Sequence, residues 1–427
     1  MRLPSREGDD GRLRILFLDF NSYFASVEQA EQPELRDRPI VVAPVDADTT
    51  FAIAASYPAK RFGIHTGTRI SDAKKLCPDL VIVPARPRLY THYHDRLLES
   101  VGRVLPVAKV HSIDEMSFRL LGKERTEERS KELALEMKSR IARDVSPCLT
   151  CSIGVAQNTF LSKVASEIVK PDGLTVLNQA DAFHHLVKLP LLAFPGINKR
   201  MEARLRAAGI FTTAQMLQAS EAQLRTAFRG VGGERWYWLL RGHEVEPENR
   251  VGQSLSHSHV LPPRLRSDQG VRSVVLRLAS KAAVRLRQGG LRAGQMRVLV
   301  SGRKDWEAAA KLDGALDSVT ISRAVERLWQ QRDFEGPVKA GVTFTELTRQ
   351  EGHTPSLFDE TQQWELLSAA MDRMNARFGK NAVYPANLHD ARNTAGERIA
   401  FQKTQLLDEG ADPDDWQPDQ PISRDAE

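Results

Sequence analysis

Cysteine is scarce in this chain of 427 residues: Cys77, Cys148 and Cys151 are all it has. Three is too few, and an odd number, for a disulfide framework at this length, so the core must close without covalent staples. Cys148 and Cys151 form a CxxC, yet no second Cys pair or Cys/His pair stands at finger spacing, which leaves zinc short of four ligands. A redox CxxC should open a helix, whereas LTCSIGVA reads as a strand, so two reduced thiols beside a core strand is the reading that remains. His92 with His94 and His257 with His259 stand two apart, but neither pair has a third ligand and no metal site is read there. Long apolar runs are missing too. None approaches the ~18–20 residues of a membrane span, and the N-terminus MRLPSREGDDGRLR lacks an apolar signal core. A cytoplasmic chain without a membrane partner is expected.

What is present is ordinary in amount and uneven in placement. Hydrophobic residues are 41% and charged residues 27%, inside the globular range, and at about 100–200 residues per domain the length allows two to four units. The net charge is only +5, but residues 251–340 hold 16 Lys/Arg against 8 Asp/Glu, and residues 401–427 hold 2 against 8. A basic block of domain size followed by an acidic, Pro-containing end fits a polyanion-binding body with a solvated, disordered tail; a merely solvated face stays open as the alternative.

Strands and helices alternate along the first half. LRILFLDF is a short apolar strand with Asp19 near its end, followed by helix-like SYFASVEQA up to Pro33. Residues 39–84 read as a small α/β insertion, with RPIVVAP and LVIVPA as strands and FAIAASYPAKRFGI as strand, turn and helix. VAKVHSI and EMSFRLL form a hairpin with Asp114 and Glu115 at its corner. An amphipathic helix, the strand CLTCSIGVA and the helix NTFLSKVASEIVK follow, the last ending at Pro171 and Gly173. Residues 186–245 read as helices and short loops, and their Pro-Gly-Ile turn before a basic helix fits either a helix-hairpin-helix that meets a DNA phosphate or a plain αα-hairpin. Residues 245–256 are a polar linker. A second α+β unit comes next, with Arg277, Lys281 and Arg285 at four-residue spacing on its first helix.

Adjacent side chains on a regular strand point to opposite faces, so Asp114 and Glu115 can converge only at a strand end or turn, where the pattern puts them. With Asp19 at the end of another strand they make a hard-oxygen set suited to Mg²⁺. Such a site performs nucleotidyl transfer with two ions, and Lys60, Arg61 and Lys163 lie on adjoining segments to meet phosphate charge. Three unrelated surface acids are the open alternative at this point.

The runs LDFNSYFASVEQ, ASYPAKRFGIHTG with KKLCPDL, SIDE, and SIGVAQNTFLSKVASEIVKPDG stand in the order and spacing of the Y-family translesion DNA polymerases. The chain resembles them over roughly 13–350, with the bacterial polymerase IV-like branch nearest. The resemblance implies an α+β right-hand polymerase: palm at 13–38 and 85–185, small fingers at 39–84, helical thumb at 186–245, linker at 246–256, α+β little finger at 257–350 and an extension at 351–427. It implies Asp19, Asp114, Glu115 and the Phe20 carbonyl as ligands of two Mg²⁺, and Ser56, Tyr57, Lys60 and Lys163 around the nucleotide. Phe24 falls at the steric-gate position, where a ring fills the space of a ribose 2′-hydroxyl. Primer–template DNA and deoxynucleoside triphosphates are the implied partners, and a monomer is expected.

Four residues depart from the family pattern. Asn21 stands where Asp is usual and should tune the site, and Lys60 stands for Arg, keeping charge but losing bidentate geometry. Ser117 and Arg119 replace an aromatic and an acid and disturb the hairpin's packing. In GHTPSLFDE, Leu357 and Phe358 match the apolar anchor of a sliding-clamp peptide, while Thr354 and Pro355 replace Gln and Leu; a plain turn is the alternative. WELLSAAMDRMNARFGKNAVYPA resembles a helix and strand at the end of long relatives. Two functions are carried forward: a low-fidelity, template-directed translesion polymerase, and a weak or inactive relative that binds DNA and clamp for another polymerase.

Overall fold

The computed structural model describes residues 11–44, 47–48, 50–245, 254–351, 361–379, 381–389, 391 and 394. The chain divides into two compact units, one running to residue 245 and the other starting at residue 254.

In the first unit, the apolar run after Leu13 forms β1 (Ile15–Phe20), buried from end to end. A polar turn at Asn21 and Ser22 leads into α1 (Tyr23–Glu31), and Pro33 lies just beyond its end. β2 (Ile40–Ala43), β3 (Ala54–Ala55), α2 (Tyr57–Lys60), α3 (Ile70–Leu76) and β4 (Val81–Pro84) make the small insertion, with strand order β3-β2-β4 and an apolar cluster of its own around Val41, Ile64 and Ile70. Its strand, turn and helix are shorter than expected. Pro58 sits in the single turn of α2, and the chain leaves through Gly63 at φ +79°, which glycine adopts without a Cβ clash.

α4 (Pro87–Gly102), the hairpin β5 (Val107–Ser112) and β6 (Glu115–Arg119), α5 (Glu127–Asp144), β7 (Cys151–Ala156), α6 (Thr159–Ile168) and β8 (Leu174–Val176) complete the larger sheet, in the order β5-β6-β1-β7-β8. Strand alternation sorts its residues. Leu16, Leu18, Phe20, Met116 and Phe118 enter the core shared with α1, α4 and α5. Phe17, Asp19, Glu115, Ser117 and Gly154 share the other face, because Asp19 pairs in register with Glu115 and Phe17 with Ser117 and Gly154. α6 packs on that face over Gly154. A Cβ there would lie 2.0 Å from the Ser162 carbonyl oxygen and 2.4 Å from the Ser166 nitrogen, so only glycine lets α6 come this close. Cys151 opens β7 with its thiol buried, and burial pushes that thiol up to about 12.

The helical region holds α7 (Ala182–Leu186), α8 (Lys199–Ala207), α9 (Thr213–Gln218), α10 (Glu221–Phe228) and α11 (Val231–Leu239) around Phe194, Leu205, Met216 and Leu224. Asn198 caps α8 by accepting from the Met201 N–H. The segment before Gly196 is a 3-10 turn, Leu191–Ala193, rather than a first α-helix.

The second unit runs β9 (Ser254–Val260), α12 (Asp268–Gln288), β10 (Leu291–Ser301), β11 (Trp306–Ala315), α13 (Ser318–Trp329), β12 (Lys339–Arg349) and α14 (Thr361–Phe378), with an antiparallel sheet in the order β11-β10-β12-β9. α12 and α13 bury Val275, Leu278, Ile321 and Val325 against Met296, Val298 and Phe344. β9 begins inside the stretch expected to be linker, because SLSHSHV alternates with polar residues on both faces and hides its period. The basic ladder of α12 also differs from expectation: Arg277 and Arg285 are half-buried, and Arg285 lies 3.0 Å from His257 Nε2. α14 belongs to this unit, tied by paired Arg287–Asp372 and Arg292–Glu365 hydrogen bonds of 2.6–2.8 Å. The expected strand after it is absent among the described residues, where a 3-10 turn, Ala386–Leu388, buries Leu388 instead. Leu357 and Phe358 lie outside the described residues.

Candidate active site

β1 ends at Phe20, whose N–H donates to the Asp114 carbonyl (2.9 Å) and draws the hairpin turn to the end of the strand. Asp19 pairs with Glu115 at this end of the sheet, and Asp114 stands beside them in the turn. Lys163 bridges two of them and Glu167: its Nζ contacts Asp19 Oδ2 and Glu167 Oε1 and lies 2.9 Å from Glu115 Oε1. Asp114 accepts instead from the Ser112 hydroxyl. Among the described residues no three His, Cys, Asp or Glu side chains stand close enough to form one ligand set. The lysine ammonium holds that central position.

Burial sets the electrostatics. It pushes Asp19 up to about 6, with Lys163 and Lys170 limiting the rise, and it raises Asp114, which Ser112 restrains. Burial works against charge on Glu167 as well, but Lys163 and Lys170 outweigh it and hold that carboxyl at about 2. The acids in return hold Lys163 well above its ordinary value against the cost of burial.

Tyr57 and Lys60 come to this edge from the small insertion. Burial, then the charges of Asp19 and Glu167, push the Tyr57 hydroxyl up to about 12, and Lys60 Nζ sits 4.3 Å from the Tyr57 ring centre. Lys60 is lowered by burial and by Lys170. Ser56 holds the start of α2: its buried hydroxyl accepts from the Ile40 N–H (2.9 Å), donates to the Arg38 carbonyl (3.1 Å) and caps the helix that begins at Tyr57. Phe24 is 4% exposed, its ring 4.7 Å from that of Tyr90.

Two of the departures have structural partners. Asn21 is buried and hydrogen-bonded at every polar atom of its amide: Nδ2 donates to Ser152 Oγ (3.1 Å), and Oδ1 accepts from Thr150 Oγ1 (3.2 Å) and the Asp172 N–H (2.8 Å). It therefore ties the turn after α6 to the end of β1. Ser117 hydrogen-bonds His111 Nε2 (2.9 Å), and the His111 ring packs 5.0 Å from Phe17, so the neighbouring strand fills the space an aromatic would take. Arg119 is exposed at the end of β6. Sequence reasoning missed Glu167 and Lys170. Glu167 lies one helical turn from Lys163 and could have been read from spacing, whereas Lys170 follows the end of α6 and only the turn brings it back.

In the second unit the open sheet face carries cross-strand rows Ser256, Thr343, Arg297, Ala309 and Ser254, Thr345, Gln295, Lys311. Hydroxyls, an amide and two cations stand on this face, with Arg297 paired to Glu307 on the neighbouring strand (2.6 Å).

Residues 18–167 match the impB/mucB/samB family and residues 252–357 match that family's C-terminal domain. A DNA polymerase IV of Moorella thermoacetica is 32% identical over 388 residues, covering 87% of this chain and 95% of that one. Another, of Pelotomaculum thermopropionicum, is 30% identical over 387 residues, with 88% and 95% covered. A Y-family DNA polymerase chimera of Dbh and Dpo4 has a TM-score of 0.66 at 22% identity, covering 79% of this chain and 99% of that one. Dbh DNA polymerase in an insertion ternary complex has a TM-score of 0.53 at 22% identity, with 78% and 98% covered. The fold is thus the α+β fold of a Y-family polymerase. The chain belongs to the impB/mucB/samB family of DNA-directed DNA polymerases, in the branch whose members are named DNA polymerase IV.

Proposed function

We propose that the chain adds deoxynucleotides to a DNA primer on a template, including opposite damaged positions, by nucleotidyl transfer at Asp19, Asp114 and Glu115. The observation that carries this reading is the in-register pairing of Asp19 with Glu115, with Asp114 drawn beside them by its own carbonyl. The donors are all hard oxygens, and burial that raises Asp19 and Asp114 is a cost that a divalent ion offsets, so the residues suit Mg²⁺. Two bound ions would supply an activated primer hydroxyl and a stabilised pyrophosphate leaving group. Asp19, Asp114, Glu115 and the Phe20 carbonyl would hold them. Lys163, Lys60 and Tyr57 grip the triphosphate, and Phe24 limits the sugar.

In this reading residues 13–38 and 85–185 are the palm, 39–84 the fingers, 186–245 the thumb, and the unit beginning at Ser254 the little finger that meets primer–template DNA with its open sheet face. Fingers built on strands of two to four residues enclose the nascent pair weakly. Right and wrong pairs differ by little unless closure enforces shape, so lesion tolerance and low fidelity share one cause. Leu357 and Phe358 anchor a sliding clamp. Of the four departures that favour the adaptor reading (Asn21, Lys60, Ser117 and Arg119), Asn21 and Ser117 have hydrogen-bond partners of their own, and the retention of Asp19, Asp114 and Glu115 speaks for the enzyme.

Primer extension on undamaged and abasic templates with Mg²⁺ tests the reading. The wild-type chain should extend both. Asp114→Ala should slow it at least about a thousandfold while DNA binding persists. A wild-type chain that binds DNA yet adds no nucleotide would establish the adaptor.

A further inference from the structure

The second unit carries a groove that the polymerase chemistry does not use. One wall is α13, with Val319, Arg323 and Arg327 along it, the other is the 3-10 turn at Pro385, Ala386 and Asn387, and the space between them is about 730 Å³. Its lining is apolar at Val319, Pro385 and Ala386 and cationic at Arg323 and Arg327, which are exposed and stand one helical turn apart. Glu326, the acid beside them, is already taken by two hydrogen bonds from Arg272. Arg323 lies over the Trp364 ring, 5.4 Å from its centre, and among the described residues neither groove arginine has an acid partner. An apolar slot edged by two such guanidiniums selects an occupant that brings an aromatic ring and negative charge together.

The chain itself supplies that combination. Residues 408–419, DEGADPDDWQPD, lie outside the described residues and hold six acids, no Lys or Arg, and Trp416 as their one aromatic. Thr394, the last described residue, is seven positions beyond Asn387 of the groove wall. The 22 positions from Thr394 to Trp416 extend to at most about 70–80 Å, so the segment reaches the groove with length to spare. A tethered segment meets its site at an effective concentration on the order of 1 mM, so even a millimolar contact is about half occupied. The open sheet face, with Lys311 and Lys339, offers these acids charge but no comparable slot, since its rows are Ser, Thr, Gln, Ala, Arg and Lys.

We propose that the groove is the docking site of the chain's own acidic segment 408–419, with the Trp416 indole seated between α13 and the turn at Ala386 and the aspartates beside it paired with Arg323 and Arg327. Docked there, the acids stay on the helical side of the unit, away from the sheet face that carries Lys311 and Lys339. The inference goes beyond the polymerase reading and stands without it.

The test uses the full chain with Arg323→Lys and Arg327→Lys together, which keeps both charges and gives each position an amine. A carbodiimide joins an amine to a carboxylate only where the two touch, and peptide mass spectrometry identifies the joined pairs. Mixing ¹⁵N-labelled with unlabelled chain separates links within one chain from links between two. Segment 408–419 should link to positions 323 and 327, within one chain, at least about fivefold more than to Lys311 and Lys339. Trp416→Ala should cut that yield at least about fivefold and leave the melting temperature unchanged. Links concentrated on Lys311 and Lys339 would put the acids on the open face, and links spread evenly over exposed lysines would leave them unseated. Links between chains would make the groove an interface between two copies. Each of these results overturns the proposal, as does a yield that Trp416→Ala does not change.

Discussion

Replacing Phe24 separates a sugar-excluding ring from a core ring. Phe24 is 4% exposed, its ring centre lies 4.7 Å from Tyr90 and 5.6 Å from Tyr23, and Tyr90 is fixed in turn by donating to Glu28 Oε1 (2.6 Å), a fully buried acid paired with Arg86. Phe24→Ala empties this packing at roughly 3–5 kcal/mol. At about 2–4 °C per kcal/mol for a domain of this size, the melting temperature should fall by roughly 6–20 °C. That loss is the same whether or not the ring touches the nucleotide, so Ala alone decides little. Phe24→Leu keeps most of the volume, should cost under about 1.5 kcal/mol, and shortens the reach toward the sugar. A volume clash discriminates by roughly 1–3 kcal/mol, or about 10–200-fold. The ratio of kcat/KM for a ribonucleotide to that for its deoxy counterpart should therefore rise at least about tenfold in the Leu variant, with deoxynucleotide insertion little changed. An unchanged sugar ratio in both variants, beside the expected fall in melting temperature, refutes the gate.

Asp19, raised to about 6 by burial, takes up a proton as the pH drops below that value, so single-turnover incorporation should fall on the acid side with an apparent pKa near 6. Metal and proton compete for the same carboxylate, so raising Mg²⁺ should move this limb to lower pH; a limb that stays put counts against Asp19 as a ligand. On the open sheet face, Lys311→Ala and Lys339→Ala should each reduce the salt slope of log K for duplex DNA by roughly 0.9, the share of one phosphate left without its cation, and unaltered slopes would place the DNA elsewhere. Changing Leu357 and Phe358 together to Ala should abolish clamp-stimulated synthesis and spare clamp-free synthesis, whereas equal loss in both assays indicates a folding role.

Local residue order determined much of this protein. A short apolar strand ending in Asp19, a hairpin with acids at its corner, and a helix carrying Lys163 are written within a few residues each, because burial and strand or helix periods act over that range. Tertiary structure decided what those periods do not encode. WEAAAKLDGA has the composition of a helix and forms the edge strand β11, since pairing with β10 outweighs propensity. Polar β9 is a strand because β12 offers it a ladder along its whole length. α14 is held by arginines on α12 and β10, more than seventy positions earlier, as charge pairs that no local window contains. At the site, Asn21 reads as a weakened acid and is a tie to the Asp172 turn. That turn returns Lys170 to Asp19 across 151 positions, and such a pairing exists only after α6 has seated on Gly154. Chemistry that depends on one strand end was legible along the chain; chemistry that needs two lysines on one carboxylate required the packing that places them there.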